Sequence, residues 1–185
     1  QSNELQSALG DVAYPIHFLD FETIGPALPR YIGTRPYGPI PFQWSIHTLD
    51  SSGNLRHVEY LHDGPDDPRE MLAARMLEVL GSQGSIVVYT GFEEARIKEM
   101  ADALPQHRGS LLDLCGRIFD LHKVLNAHYY HPEFHGSWSI KAVLPALVPN
   151  MSYADLDIKD GTLASLSFGQ MISHETSREE NAKIR

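Results

Sequence analysis

The chain has 185 residues, 42% of them hydrophobic, and its 24 acidic side chains outweigh 15 basic ones to leave a formal charge of −9. That length suits one domain with a sizeable core, and no apolar run reaches membrane-spanning length. The charge argues against a broad electrostatic surface for nucleic acid, which normally needs an excess of Lys and Arg, and the single cysteine, Cys115, excludes an internal disulfide and fits a reducing, cytoplasmic setting.

Residues 1–12 are polar and read as a linker, although Leu5 to Leu9 could form a short helix. Residues 13–172 carry the alternating patterns of a folded domain, and residues 173–185 form a polar segment that reads as cut off partway into a helix. Tyr14 to Thr23 reads as a β-strand, with Pro15 near its start and a Gly25-Pro26 breaker after it. Alternation puts Ile16, Phe18, Asp20 and Glu22 on one face and His17, Leu19 and Phe21 on the other. Both faces carry apolar residues, so the strand is expected at the centre of a sheet, covered on both sides. Asp20 and Glu22 near its end would repel each other and lose solvation. A divalent cation between them removes both penalties, and Mg²⁺ or Mn²⁺ suits carboxylate oxygens. The other reading of such a pair is a strand that turns polar as it emerges into solvent.

Gly25 to Pro41 is too rich in glycine and proline for regular structure. Its Arg30, Tyr31, Arg35 and Tyr37 could contact phosphates and stack on bases, or the loop could be packed by its own aromatics. Phe42–Leu49 and Leu55–Leu61 read as two strands joined by a turn at Asp50–Asn54. A helix follows, with Asp67 as N-cap, Pro68 at its first position, Glu70 completing a capping box and Gly81 as its stop. Ser85–Tyr89 is a short buried strand.

A second helix opens near Phe92 and runs to about Leu104, before Pro105. Glu93 falls on its apolar stripe with Ile97, Met100 and Leu104, whereas Glu94 stands four residues before Lys98 as a surface ion pair. An inward carboxylate beside a buried strand end is a metal-ligand candidate, but Thr90-x-x-Glu93 is also a capping box that would use Glu93 locally. Ser110–Leu114 reads as a helical turn, Arg117–Leu121 as a short strand or a helix start, Ile140–Leu144 as a helix limited by Pro145, and Thr162–Ile172 as a helix. His128, His131 and His135 are crowded, but their spacing matches no closed zinc site. Lys141 could point towards an acidic site or a phosphate.

The order of an Asp-x-Glu strand, a hairpin, a helix, an apolar strand and Phe-Glu opening a helix is similar to the DEDD (DnaQ-like) exonucleases of the ribonuclease H-like superfamily. More closely, Phe18-Leu19-Asp20-Phe21-Glu22-Thr23, Pro39-x-Pro41-Phe42-Gln43-x-Ser45, Tyr89-x-x-Phe92-Glu93, Asp120-Leu121 and Gly136-Ser137-x-Ser139-Ile140-Lys141-x-x-Leu144-Pro145 resemble an uncharacterised bacterial family, the DUF2779 domain. The resemblance implies an α/β, ribonuclease H-like fold with a mixed central sheet flanked by helices. It also implies 3′–5′ exonuclease-like hydrolysis of DNA or RNA at a two-metal Mg²⁺ or Mn²⁺ site, the cations about 3.5–4 Å apart. In that scheme Asp20 bridges the metals, Glu22 helps to hold the one that activates water, and Glu93 orients the other through water. Thr23, Arg35 and Lys141 are the candidate substrate contacts.

The chain departs from that pattern at Thr90, where relatives often have asparagine, and at Glu93, where they have aspartate. Tyr153-x-x-x-Asp157 and His174-x-x-x-x-Glu179, the latter with the wrong acid, have the spacing of a third motif without its apolar helix, so a fourth acid is expected beyond Arg185, as are other domains of a longer polypeptide. The competing expectation is a catalytically inactive fold used to bind nucleic acid or protein.

Overall fold

The computed structural model describes residues 3–149, 151 and 161–172. The chain runs α1 (Asn3–Gly10), β1 (Ile16–Ile24), β2 (Ile40–Leu49), β3 (Leu55–Leu61), α2 (Arg69–Leu80), β4 (Ser85–Val88), α3 (Phe92–Ala103), α4 (Arg108–Cys115), β5 (Ile118–Asp120), α5 (Leu121–His128), α6 (Ile140–Leu147) and α7 (Gly161–Ile172). The strands form one mixed sheet in the order β3-β2-β1-β4-β5. β1 pairs antiparallel with β2, which pairs antiparallel with β3, whereas β4 lies parallel to both β1 and β5. The fold is therefore α/β, a five-stranded mixed sheet flanked by helices.

The sheet's main core lies on one face. Leu19 and Phe21 of β1, Trp44 and Ile46 of β2, and Ile86 and Val88 of β4 pack against Leu72 and Met76 of α2, Ile97 and Met100 of α3, and Leu111 and Leu114 of α4. Apolar alternation in the strands meets apolar stripes in three helices, and burial of both drives the layer together. A second cluster joins Ile24, Ile40 and Phe42 to Phe168 and Ile172 of α7, the rings of Phe42 and Phe168 stacking at 4.1 Å. A third gathers Leu125, Phe134 and Val143 around α5 and α6.

Four expectations change. β1 is central, but α2, α3 and α4 all pack on the Leu19/Phe21 face, and Phe18 on the other is 42% exposed. α6 continues through Pro145 to Leu147, because the amide of Val148 still reaches the Leu144 carbonyl at 2.8 Å and closes the last turn. At the start of α2 the N-cap is Pro68 rather than Asp67; Asp67 still accepts the Arg69 amide at 3.1 Å, while Glu70 stays exposed rather than closing a capping box. Residues 1–12, read as a linker, contain α1, whose Leu5 is buried and whose Glu4 lies 3.5 Å from His128 of α5. Tyr153, Asp157, His174 and Glu179, with the whole of 173–185, lie outside the described residues.

Candidate functional site

β1, β4 and β5 run parallel, so their carboxyl ends come to one edge of the sheet. Asp20 is the middle residue of β1, two beyond Phe18 where the pairing with β4 ends, Asp120 is the last residue of β5, and Glu93 is the second residue of α3, which follows β4. Crevices at this edge are where open α/β sheets tend to hold ligands.

Glu93 is 6% exposed, and its Oε2 is buried without a hydrogen-bond partner. Burial pushes its carboxyl up from 4.5 to about 7; its own amide works against the rise, the charges of Asp20 and Asp120 add to it, and Arg96 opposes it. Ionising this group means placing a charge in a poorly hydrated position beside two other carboxylates. Asp20 is open to solvent at its surface, yet surrounding protein raises its carboxyl above the ordinary value, against the Phe21 amide that lowers it. Asp120 is committed: its Oδ1 accepts the Lys123 amide at 3.1 Å as the N-cap of α5, and its Oδ2 lies 3.3 Å from Lys123 Nζ.

The capping-box alternative for Glu93 is not what forms. Thr90 Oγ1 accepts the Phe92 amide at 3.2 Å, Gly91 takes the N-cap position, and the Glu93 carboxyl remains available. Glu94 pairs with Lys98 at 2.5 Å, as its spacing predicts.

The expected convergence of Asp20, Glu22 and Glu93 is only partly met. Asp20 and Glu93 feel each other's charge, but among the described residues no three His, Cys, Asp or Glu side chains form a group that could hold a metal ion. Glu22 shares the Asp20 face but lies two residues, about 7 Å, further along the strand, where the register with β2 shifts between Glu22 and Thr23. The late histidines do not gather either: His128 faces Glu4, His131 Nδ1 accepts the Glu133 amide, and His135 lies 3.9 Å from Glu133.

The candidate substrate contacts are dispersed. The Thr23 carbonyl accepts the Ser165 hydroxyl at 2.6 Å, fastening α7 to the end of β1. Arg35 is exposed and 3.7 Å from Glu99 of α3. Lys141 is exposed in the first turn of α6, whose N-cap is Ser139. The segment leading to α6 is held at the carboxyl edge, because Tyr89 donates its hydroxyl to the Trp138 carbonyl at 2.8 Å and the His122 ring packs edge-on against both residues. Sequence reasoning gave Asp120 no part among the acids. The signal was an aspartate closing a short strand and opening a helix, which is both an N-cap pattern and a strand-end position.

The model of one family, the domain of unknown function DUF2779, matches residues 17–139, well over half of the chain. The chain belongs to the DUF2779 family. The match runs from the second residue of β1 through the other four strands, includes the three acids of the carboxyl edge, and ends just before α6. No curated protein and no solved structure matches the chain.

Proposed function

We propose that this DUF2779 domain is a metal-dependent nuclease of ribonuclease H-like type, hydrolysing nucleic-acid phosphodiesters from the 3′ end. The observation that supports it best is Glu93: a buried carboxyl with an unpartnered oxygen, beside Asp20 and within the field of Asp120. Such a group is unfavourable when ionised and alone, and a hard cation relieves the repulsion. An all-carboxylate donor set fits Mg²⁺ or Mn²⁺, which commonly bind through one or two carboxylates and keep several waters. Asp20 and Glu93 would hold the cation, with Glu22 on the same strand face as a further acid. When bound, such an ion supplies a nucleophilic water at neutral pH and steadies the leaving oxygen. The chain's own residues set the rest. Asp20 and Glu93 fix where negative charge is held, while Asp120 keeps α5 and Lys123 at the rim.

The test is thermal melting at pH 8 with Mn²⁺, paired with hydrolysis of a 5′-labelled oligonucleotide. The expected result is a metal-dependent rise in Tm and shortening of the oligonucleotide from its 3′ end, both lost in Asp20→Asn. No rise and no shortening would remove the nuclease reading.

A second reading, an inactive fold that binds nucleic acid or protein, is favoured by the formal charge of −9 and by the lack of a three-acid group among the described residues. It predicts binding without any metal-dependent Tm change.

A further inference from the structure

A cavity of about 530 Å³ opens between the Gly/Pro-rich loop and α3. Its wall carries three guanidiniums, Arg35 from the loop, Arg69 from α2 and Arg96 from α3, with Glu99 between them and Ile40 and Met100 as apolar lining. Two of the charges on the wall, Arg69 and Asp102, have partners of their own. Arg69 is held by Asp67 and donates to the Ile32 carbonyl at 2.9 Å, which ties the loop to α2. Asp102, also on the wall, is held by Arg108.

That leaves Arg35 and Arg96 sharing one oxygen of Glu99, Oε1, at 3.7 and 3.0 Å. The shell therefore holds one more cation than anion, in a chain whose overall charge is −9. Arg96 is 8% exposed, and its Nε is buried without an acceptor. Its Nη2 donates to Glu99 at 3.0 Å and its guanidinium lies over the Phe92 ring at 5.0 Å, so Nε is the unmatched donor, and a buried unmatched donor of a cation is where a second anion is favourable. Arg35 is the exposed half of the pair, with a side chain 75% exposed and a long contact to Glu99. Gly38 leaves it room, since a Cβ there would stand 2.8 Å from Arg35 Cγ.

We propose that this cavity binds an organic phosphate monoester of nucleotide size. Arg35 and Arg96 take the phosphate in the forked geometry that guanidiniums offer to such oxygens, and the apolar body lies against Ile40 and Met100. The volume falls in the range of small-ligand pockets. The site does not rest on the nuclease reading, because no divalent cation is involved and Glu99 lies six residues beyond Glu93 on α3, about 9 Å along the helix axis, although the charge of Arg96 also reaches Glu93.

The test is calorimetric titration of the whole chain with AMP, adenosine and inorganic phosphate in buffer containing EDTA. AMP is expected to bind most tightly, with adenosine at least about tenfold weaker for want of the charge-assisted contacts. Inorganic phosphate is also expected to bind more weakly, because it lacks the apolar body. Arg35→Gln, at an exposed position, should weaken AMP about tenfold. Glu99→Gln should tighten it, because the internal competitor for both guanidiniums is removed. Absence of AMP binding at millimolar concentration, equal binding of adenosine, or indifference to both substitutions would each overturn the proposal.

Discussion

The two ends of the parallel strands obey opposite rules. At the amino end, the connection between α2 and β4 is saturated with partners. Arg117 donates to the carbonyls of Leu80, Gly81, Gln83 and Gly84, and His17, buried in β1, bonds Thr48 Oγ1 at 2.9 Å and the Gln83 carbonyl at 3.3 Å. At the carboxyl end, Glu93 has a buried oxygen without a partner, and two neighbouring acids make its ionisation harder. One cation thus satisfies several carbonyls at one end, while at the other Lys123 pairs with Asp120 and Arg96 only partly offsets the crowding of Glu93. Buried polar groups are normally paired, so the saturated end reads as the support of the fold. The unsaturated end reads as the place where tolerated strain serves something other than stability.

Breaking the saturated end should do the greatest damage. Gly84 sits at φ +81, and a Cβ there would lie 1.9 Å from the Pro15 carbonyl oxygen, so Gly84→Ala is expected to destabilise by more than about 3 kcal/mol in urea unfolding. Arg117→Met should cost about 2–4 kcal/mol, since it strips several carbonyls of their donor while keeping the apolar stem.

The unsaturated end should respond with the other sign. The folded Glu93 carboxyl, at about 7, lies above its ordinary 4.5. Below 4.5 both states are protonated and no penalty exists. As pH rises to 7 the unfolded chain ionises first, and stability falls until both states are charged. Glu93→Gln should therefore raise stability at pH 8 relative to pH 4, by about 3 kcal/mol at most, and thermal melts at the two pH values would show it. A variant equally affected at both would mean that the carboxyl is already satisfied.

A smaller effect belongs to His17. Burial lowers its pKa, the Gln83 carbonyl opposes this and the charge of Arg117 adds to it. The neutral ring therefore contributes stability that is present above 6.5 and is lost as pH falls towards the depressed folded value. His17→Gln should flatten that acid limb without changing stability at pH 8 by a comparable amount.

Much of the architecture was legible one residue pattern at a time. Alternation located β1 and β2, the turn at Asp50–Asn54 pointed to β3, an apolar run located β4, and Gly81 marked the end of α2, where it adopts φ +51. The helical spacing of Glu93 with Ile97 and Met100 placed it correctly on the buried side. The misreadings have a common source in partners distant in the chain. Phe18 alternates as a buried residue should, but its exposure depends on which face α2 to α4 choose. Pro145 breaks a local pattern, yet the next turn still closes around it. Ile118 to Asp120 carries both a strand and a helix signal, and pairing with β4 decides for the strand.

Local periodicity and turn chemistry were enough to settle most strands and helices, the carboxylate-bearing strand and the inward placement of Glu93, because these depend on neighbours within a few residues; the α/β class was implied by the family resemblance. Which acids come together was decided in three dimensions. Parallel pairing of β1, β4 and β5 brings Asp20, Glu93 and Asp120 to one edge, the register shift after Glu22 leaves that acid further along, and the α5 cap binds Asp120 to its own helix. Strand order and register are set by long-range burial, which no short stretch of sequence contains.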